Sequence, residues 1–311
     1  MSTRLSRYGF VGFAASVLCC GLVSGASLKA TVSILPQAYL LDRIGGDAVD
    51  VEVLVPPGQS PATYTVSARQ MARISTSVVF FRVGVPFENA LLPKLRDMMP
   101  DLRIVDTRQG IVLRSMSHVH EHEHEHEHAP QDEPDGVKPG DHGGKDPHSW
   151  LDPRNAAVQA ETMCNTLCRL APDHADGFRR NLSALRAELT DLHERIEAQL
   201  RPVRGKTFMV FHPAFGYFAD AYGLRQVPIE TEGKSPSARQ LARVIAQARG
   251  DDVQVIFVQP QFSRKAAEVI AKAINGTVVP IDALARDYVA NLERMASAIA
   301  EGLNSRTGDA Q

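Results

Sequence analysis

A long segment near the middle of the chain, Asp173–Leu200, constrains the fold most strongly. Its apolar residues recur every three or four positions, as Phe178, Leu182 and Leu185 do, which is the spacing of one buried helical face. At 1.5 Å per residue, such a helix is about 40 Å long. This length predicts a rigid connector over residues 173–203, with one lobe on either side of it.

Strand-like and helical segments alternate on both sides of this connector. Continuous apolar runs such as Val78–Val83 and Val253–Val258 are typical of parallel strands that are covered on both faces. The alternation itself predicts an α/β architecture. A chain of 311 residues with 44% hydrophobic content is long enough for two cores. We therefore predict two similar α/β lobes with mostly parallel sheets, over residues 27–172 and 204–311.

The first 26 residues have the pattern of an export signal. Arg4 and Arg7 precede an apolar stretch, Gly9–Val23, that is too short to span a membrane comfortably. Small residues follow at Ser24–Ala26, where a signal peptidase would cut. We predict a cleaved signal peptide over residues 1–26 and a periplasmic mature protein, with a retained membrane anchor as the alternative.

The four cysteines are not predicted to form disulfides. Cys19 and Cys20 lie within the signal, and the residues before Cys19 fit a lipobox poorly, so lipoprotein anchoring is disfavoured. Cys164 and Cys168 are four residues apart on a predicted helix, where geometry seldom allows a bridge. We interpret this second pair as core residues.

Charge and composition exclude a nucleic-acid partner. The formal net charge is −2, and the sequence contains no basic stripe. We therefore predict that the chain binds no nucleic acid, and we separately expect a monomer.

Three residues of metal-binding type occupy loops next to predicted elements. His212 follows a predicted strand and precedes a helix, and Asp282 follows the last strand. Ligands of open α/β sheets bind at the carboxyl ends of strands. His148 comes from the opposite half, so the three residues converge only if the lobes face each other across a cleft. Two imidazoles and a carboxylate suit Zn²⁺, although each residue taken singly also fits a structural role.

A histidine-rich tract lies within residues 114–146, a segment with little apolar surface that is predicted to be mobile. Neutral imidazoles bind zinc, and protonation below about pH 6 releases it. We predict that the tract collects metal for the cleft, with a passive linker as the alternative. Its histidines are His118, His120, His122, His124, His126, His128 and His142.

From Leu28 to about Leu303, the chain resembles the zinc- and manganese-binding solute-binding proteins of bacterial ABC importers. No single motif carries this resemblance, but the combination is specific. The matching segments are Val55–Gly58 (VPPG), Asp146–Pro153 (DPHSWLDP), Phe211–Phe218 (FHPAFGYF), Val258–Ser263 (VQPQFS), and Ile281–Asp282 followed by Asp287–Tyr288.

The resemblance implies that two α/β lobes joined by a long helix hold one metal ion between them. His148, His212 and Asp282 match three of the family's ligand positions. A histidine rather than a glutamate at position 212 resembles the zinc members more than the manganese members. Zn²⁺ is therefore the expected metal, with Mn²⁺ or another divalent ion as the alternative.

One departure from the family pattern concerns the fourth ligand. Ala62 stands where the family usually has a histidine, and alanine cannot coordinate a metal. Water is the simplest replacement, and a histidine of the mobile segment is another. The side chains that could reach across instead are Glu230, Glu232 and Gln59.

The predicted function is extracytoplasmic binding of a divalent transition metal, most simply zinc, and its delivery to an ABC permease. A periplasmic metal buffer or chaperone without a permease is the alternative. A zinc hydrolase with an open coordination position is a third hypothesis, which the absence of a His-Glu-x-x-His motif or a nucleophile motif disfavours. We therefore predict that the chain is not an enzyme.

Overall fold

The computed structural model describes residues 27–116, 144–230 and 236–304. The predicted signal peptide and the histidines from His118 to His142 lie outside these ranges, as does Glu232. None of the helices in the described ranges combines the length and the apolarity needed to cross a membrane.

The first lobe is a four-stranded parallel sheet with helices between its strands. The sheet order is β2-β1-β3-β4, and the apolar run Val79–Phe81 forms the buried part of an inner strand. Its elements are β1 (Leu28–Val32), α1 (Leu35–Gly45), β2 (Val49–Val53), α2 (Ala68–Ile74), β3 (Val79–Arg82), α3 (Phe87–Met98) and β4 (Arg103–Asp106).

The two lobes are connected by α4 (Pro153–Leu170) and α5 (Ala175–Leu200). Asp152 caps α4 by accepting a hydrogen bond from the Arg154 amide, and proline occupies the first helical position, which needs no donor. Helix α5 has 26 residues and is flanked by 3-10 turns. Its apolar stripe is buried against α1 and α4 of the first half, and the same helix packs against the last helix of the chain.

The second lobe repeats the first, with sheet order β6-β5-β7-β8 and parallel pairing throughout. Strand β6 was not predicted from the sequence because its residues, RQVP, contain no apolar run. The elements are β5 (Thr207–Val210), α6 (Gly216–Tyr222), β6 (Arg225–Pro228), α7 (Ala238–Gly250), β7 (Val255–Val258), α8 (Arg264–Ala273), β8 (Thr277–Pro280) and α9 (Tyr288–Asn304).

The predicted two-lobed α/β fold is thus confirmed, while the domain boundaries stay predictions. Cys164 is buried in the core and Cys168 is partly buried beside it, with the two sulfur atoms 3.9 Å apart and both thiols free. Burial, with the neighbouring Cys168 as a smaller cause, raises the pKa of the Cys164 thiol to about 12.

The ends of the histidine-rich segment are held together at the rim of the interlobe cleft. The Met116 amide donates to the Gly144 carbonyl (3.1 Å), and the Asp146 amide donates to the Arg114 carbonyl (3.0 Å). A β-bridge pairs the residues between them, 115 and 145. We call this paired region, residues 114–116 and 144–146, the neck.

Candidate metal centre

His148 is fixed by a buried carboxylate two residues before it. Its Nδ1 lies 2.7 Å from Asp146 Oδ1, and its backbone amide donates to the same oxygen. Arg114 donates to the other oxygen, Asp146 Oδ2, at 3.0 Å. Burial opposes ionisation of Asp146, but the hydrogen bonds and charges of His148 and Arg114 outweigh it and lower the carboxyl pKa. An ionised carboxylate on Nδ1 leaves Nε2 as the nitrogen available to a metal.

His212 has the same arrangement in the other lobe. It follows β5, and its Nδ1 lies 2.6 Å from Glu230 Oε1. Its backbone amide donates to Gln259 Oε1, and the Gln259 amide group donates to the His212 carbonyl at 2.7 Å. The ring stacks on Phe262 with 4.9 Å between centroids. The main chain and the ring of His212 are therefore both held in place.

Burial also sets the protonation state of His212. Desolvation is the largest influence and lowers the imidazole pKa below its ordinary value of 6.5, although the hydrogen bond that the Glu230 carboxylate accepts from the ring opposes it. His148 contributes in the same direction as desolvation. A neutral imidazole is the form that binds metals, so His212 is ready to coordinate at neutral pH without first losing a proton.

The structure brings these two histidines together. Their ring centroids are 5.3 Å apart at an interplanar angle of 75°, and His148 lies the same distance from the Trp150 ring. Both rings line a cavity of about 750 Å³ between the lobes. Two imidazoles whose Nδ1 atoms are engaged by carboxylates form the carboxylate–histidine arrangement that is common at zinc sites.

Asp282 is placed differently. It follows β8 and is half-buried, and its Oδ1 accepts hydrogen bonds from the Leu284 amide (2.9 Å) and Gln261 Nε2 (3.0 Å). Within residues 27–116, 144–230 and 236–304, no three histidine, cysteine or acidic side chains are grouped so that they could hold a metal together. The structure therefore brings His148 and His212 together. The full ligand set of His148, His212 and Asp282 stays a prediction.

The candidates for a fourth ligand differ in whether they line the cavity. Glu230 is 4% exposed and lines the cavity, and its Oε2 has no hydrogen-bond partner among the described residues. Gln59 is exposed in the loop after β2 and is not among the described residues that line the cavity. Ala62 does line the cavity but offers no donor atom. Glu230 is thus the described candidate that both lines the cavity and contacts one of the histidines, His212.

Sequence reasoning missed the residues that hold the histidines. Asp146 stands two positions before His148 in the DPHSWLDP segment, but nothing in the sequence distinguishes it as the partner of that histidine. Gln259 likewise lies in the VQPQFS segment, but its pairing with the His212 main chain depends on β5 and β7 being neighbours. Arg114 carries no sequence signal at all.

Comparison with known proteins identifies the family of the chain. The family model of ZnuA, described as zinc-uptake complex component A, periplasmic, matches residues 31–302. The chain belongs to the ZnuA family. This membership confirms the predicted class, a solute-binding protein of ABC metal importers.

Individual ZnuA proteins resemble the chain over most of its length. The high-affinity zinc uptake system protein ZnuA of Yersinia pestis is 27% identical over 82% of this chain and 84% of its own. ZnuA of Haemophilus ducreyi is 28% identical over 85% and 87%. A crystal structure of ZnuA superposes with a TM-score of 0.79 at 36% identity, covering 89% of this chain and all of that one.

Proposed function

We propose that this protein is the periplasmic receptor of an ABC zinc importer. It binds Zn²⁺ between its lobes and delivers the ion to a membrane permease. The observation that carries this proposal is the pair of imidazoles 5.3 Å apart, each with a buried carboxylate on Nδ1, at the wall of the interlobe cavity. The high-affinity zinc uptake role of the ZnuA relatives supports it.

His148 and His212 supply the two nitrogen ligands, one from each side of the cleft. Asp282 and Glu230 are the acidic side chains proposed to complete the coordination when metal enters. Neutral imidazoles together with one carboxylate favour zinc over harder ions such as Mg²⁺ or Ca²⁺. Mn²⁺ is the competing cargo.

The remaining features fit a secreted receptor. An export signal over residues 1–26 would carry the chain to the periplasm, and the histidine-rich tract would collect zinc near the cleft. The protein would act as a monomer and without enzymatic turnover. A periplasmic zinc buffer would have the same site but would need no permease.

Isothermal titration of the metal-free chain tests binding. We expect one tight zinc site that is lost in His148→Ala and His212→Ala, and weaker binding of Mn²⁺. Growth of a zinc-uptake-deficient strain in zinc-poor medium tests delivery: the wild-type gene, supplied with its own permease, should restore growth and the two alanine variants should not. Tight zinc binding without any permease-dependent growth would instead identify a buffer.

A further inference from the structure

Trp150 connects the segment that carries His148 to the loop that carries Asp282. It stands two residues after His148, in the 3-10 turn Ser149–Leu151, and the centroids of the two rings are 5.3 Å apart. The indole nitrogen of Trp150 donates a hydrogen bond of 2.8 Å to the carbonyl of Ala283, the residue after Asp282. A single side chain therefore contacts one proposed ligand and the main chain beside another.

The indole is itself held in place. Trp150 is 1% exposed, and Tyr288, the first residue of α9, donates a hydrogen bond to the Trp150 carbonyl. Burial raises the pKa of the Tyr288 phenol well above its ordinary value of 10, so this group stays protonated and remains a donor. Arg286 pairs with Asp42 of α1. These contacts anchor the loop between β8 and α9 to residues of the first half of the chain.

The carboxylate of Asp282 is held separately from the main chain beside it. Its Oδ1 accepts hydrogen bonds from Gln261 Nε2 and from the Leu284 amide. Asn291 Nδ2 donates to the Asp282 carbonyl at 2.6 Å. These three donors belong to the second half of the chain, and Trp150 adds a donor from the first. Since Oδ1 already accepts two hydrogen bonds, Oδ2 is the oxygen that we expect to bind a metal.

The cavity wall shows why this link matters for a metal ion. Ala283 and Leu284 line the cavity together with His148, His212 and Trp150. Zinc bonds nitrogen and oxygen ligands at about 2.0–2.2 Å, and its ligands must be held within roughly 0.5 Å of the productive geometry. A buried hydrogen bond is directional, so it fixes the separation of two segments more closely than apolar packing alone.

We propose that Trp150 is a positioning residue for zinc, whose indole N–H fixes the loop of Asp282 relative to His148 so that ligands from the two halves meet at one ion. Trp150 acts through Asp282 and does not touch the metal. This inference rests on the proposed function and deepens it.

The single tryptophan of the sequence allows a test that keeps the shape of the side chain. Supplied during expression, the analogue 3-benzothienylalanine replaces Trp150 alone and carries sulfur in place of the indole N–H. Isothermal titration of the full chain should show a fall in zinc affinity of about tenfold, the lower end of the 10- to 100-fold range for groups outside the ligand set. Trp150→Phe, which also lacks the N–H, should lose at least as much.

A combination with Asp282→Asn distinguishes positioning from a general loss of structure. If the indole acts through Asp282, the two effects should not add, and the analogue should change the zinc affinity of the Asp282→Asn chain by less than about twofold. Bound Co²⁺ gives a second readout, because its visible absorption depends on its coordination geometry. The analogue should shift this spectrum towards that of the Asp282→Asn chain.

Tyr222→Phe is the matched control. Tyr222 is a buried aromatic residue whose hydroxyl lies 3.2 Å from His193 Nδ1, so this variant also loses one hydrogen-bonding group of a buried ring. Its zinc affinity and its Co²⁺ spectrum should both equal those of the wild-type chain.

The outcomes separate the positioning role from the receptor role. Wild-type zinc affinity in the analogue chain, or an effect that adds fully to that of Asp282→Asn, overturns the role of Trp150 and leaves the receptor role intact. Wild-type behaviour of Asp282→Asn itself also overturns it, since Trp150 would then have no ligand to position. A wild-type chain that binds no zinc contradicts the proposed function.

Discussion

The first sheet, in order β2-β1-β3-β4, and the second, in order β6-β5-β7-β8, are built alike but present different side chains at their carboxyl edges. In the second lobe, His212 follows β5, Glu230 follows β6 and Asp282 follows β8. In the first lobe, β3 ends at Arg82, and Arg108 follows β4.

The comparison shows that two sheets with the same strand order can differ in function through the side chains at their carboxyl edges. The second edge carries the proposed metal donors, whereas the first carries guanidinium groups and, at Ala62, no donor. The first half supplies its histidine from elsewhere: His148 stands after the neck, outside either sheet, and is oriented by Asp146. The proposed metal site therefore needs one sheet edge and one loop to face each other.

Removal of the histidine on the second edge should have the largest effect. His212→Ala deletes a ligand, so zinc affinity should fall more than about 100-fold, beyond the 10- to 100-fold typical for residues outside the ligand set. Competition against a fluorescent zinc chelator measures this loss. His174→Ala is the control, since His174 is exposed on a 3-10 turn before α5. Equal affinities for both variants would remove His212 from the site.

The carboxylates behind the two histidines should matter equally in both lobes. Glu230→Gln and Asp146→Asn each keep a hydrogen-bonding group of similar shape but remove the charge that orients Nδ1. Zinc affinity should fall roughly 10- to 100-fold in each variant, as measured by isothermal titration. If Glu230 is itself a ligand, its variant should lose clearly more.

Asp220→Asn is the matched control for Asp146→Asn. Asp220 also accepts a hydrogen bond from Arg114 but is exposed and makes no hydrogen bond to His148. Asp220→Asn should bind zinc like the wild-type chain. A loss equal to that of Asp146→Asn would mean that Arg114, rather than the orientation of His148, controls the site.

A metal-donor side chain introduced into the first lobe should strengthen zinc binding. Ala62→His adds a third imidazole to the cavity wall, and we expect zinc affinity to rise about tenfold, which corresponds to about 1.4 kcal/mol. Ala62→Leu fills similar space without a donor and should not tighten binding. Isothermal titration of both variants compares them directly, and an unchanged affinity of the histidine variant would show that this loop does not reach the metal.

The smallest expected effect is on stability at acidic pH. Burial lowers the pKa of His212, so the unfolded chain gains a proton near pH 6.5 while the folded chain does not. Stability of the metal-free protein should therefore fall as pH drops from about 6.5 towards the lowered pKa, by at most about 1.4 kcal/mol per pH unit. Urea unfolding between pH 5 and 7.5 measures this slope. His212→Asn should flatten it, whereas His174→Ala should leave it unchanged.

Much of the fold was predictable because its elements have strong periodicity. The apolar stripe of α5 and the buried run of β3 both follow their expected patterns. Strand β6 does not, because Arg225–Pro228 begins with two polar residues and leaves Val227 alone before the proline, as suits an edge strand. Its hydrogen bonds to β5, rather than its own residues, define it as a strand.

The candidate site was predictable only in part. His148 and His212 stand in motifs, but the closeness of their rings depends on how the lobes pack. Asp146 was hidden because a carboxylate that orients a ligand has no fixed spacing in sequence. Glu230 was proposed only as a fourth ligand, and its contact with Nδ1 of His212 depends on β6 lying beside β5.

The neck has a consequence for the histidine tract that it anchors. Its backbone hydrogen bond holds Met116 beside Gly144, and both residues line the cavity. The histidines between them in the sequence are therefore tethered at both ends to the same part of the cavity wall. His124 is eight positions from Met116 in the sequence, so the length of the chain between them limits their separation to at most about 28 Å. Tethered groups meet their target at an effective concentration of the order of millimolar. For the proposed collection of zinc, the effective concentration of these imidazoles at the cleft is therefore set by the length of the tether and not by the protein concentration.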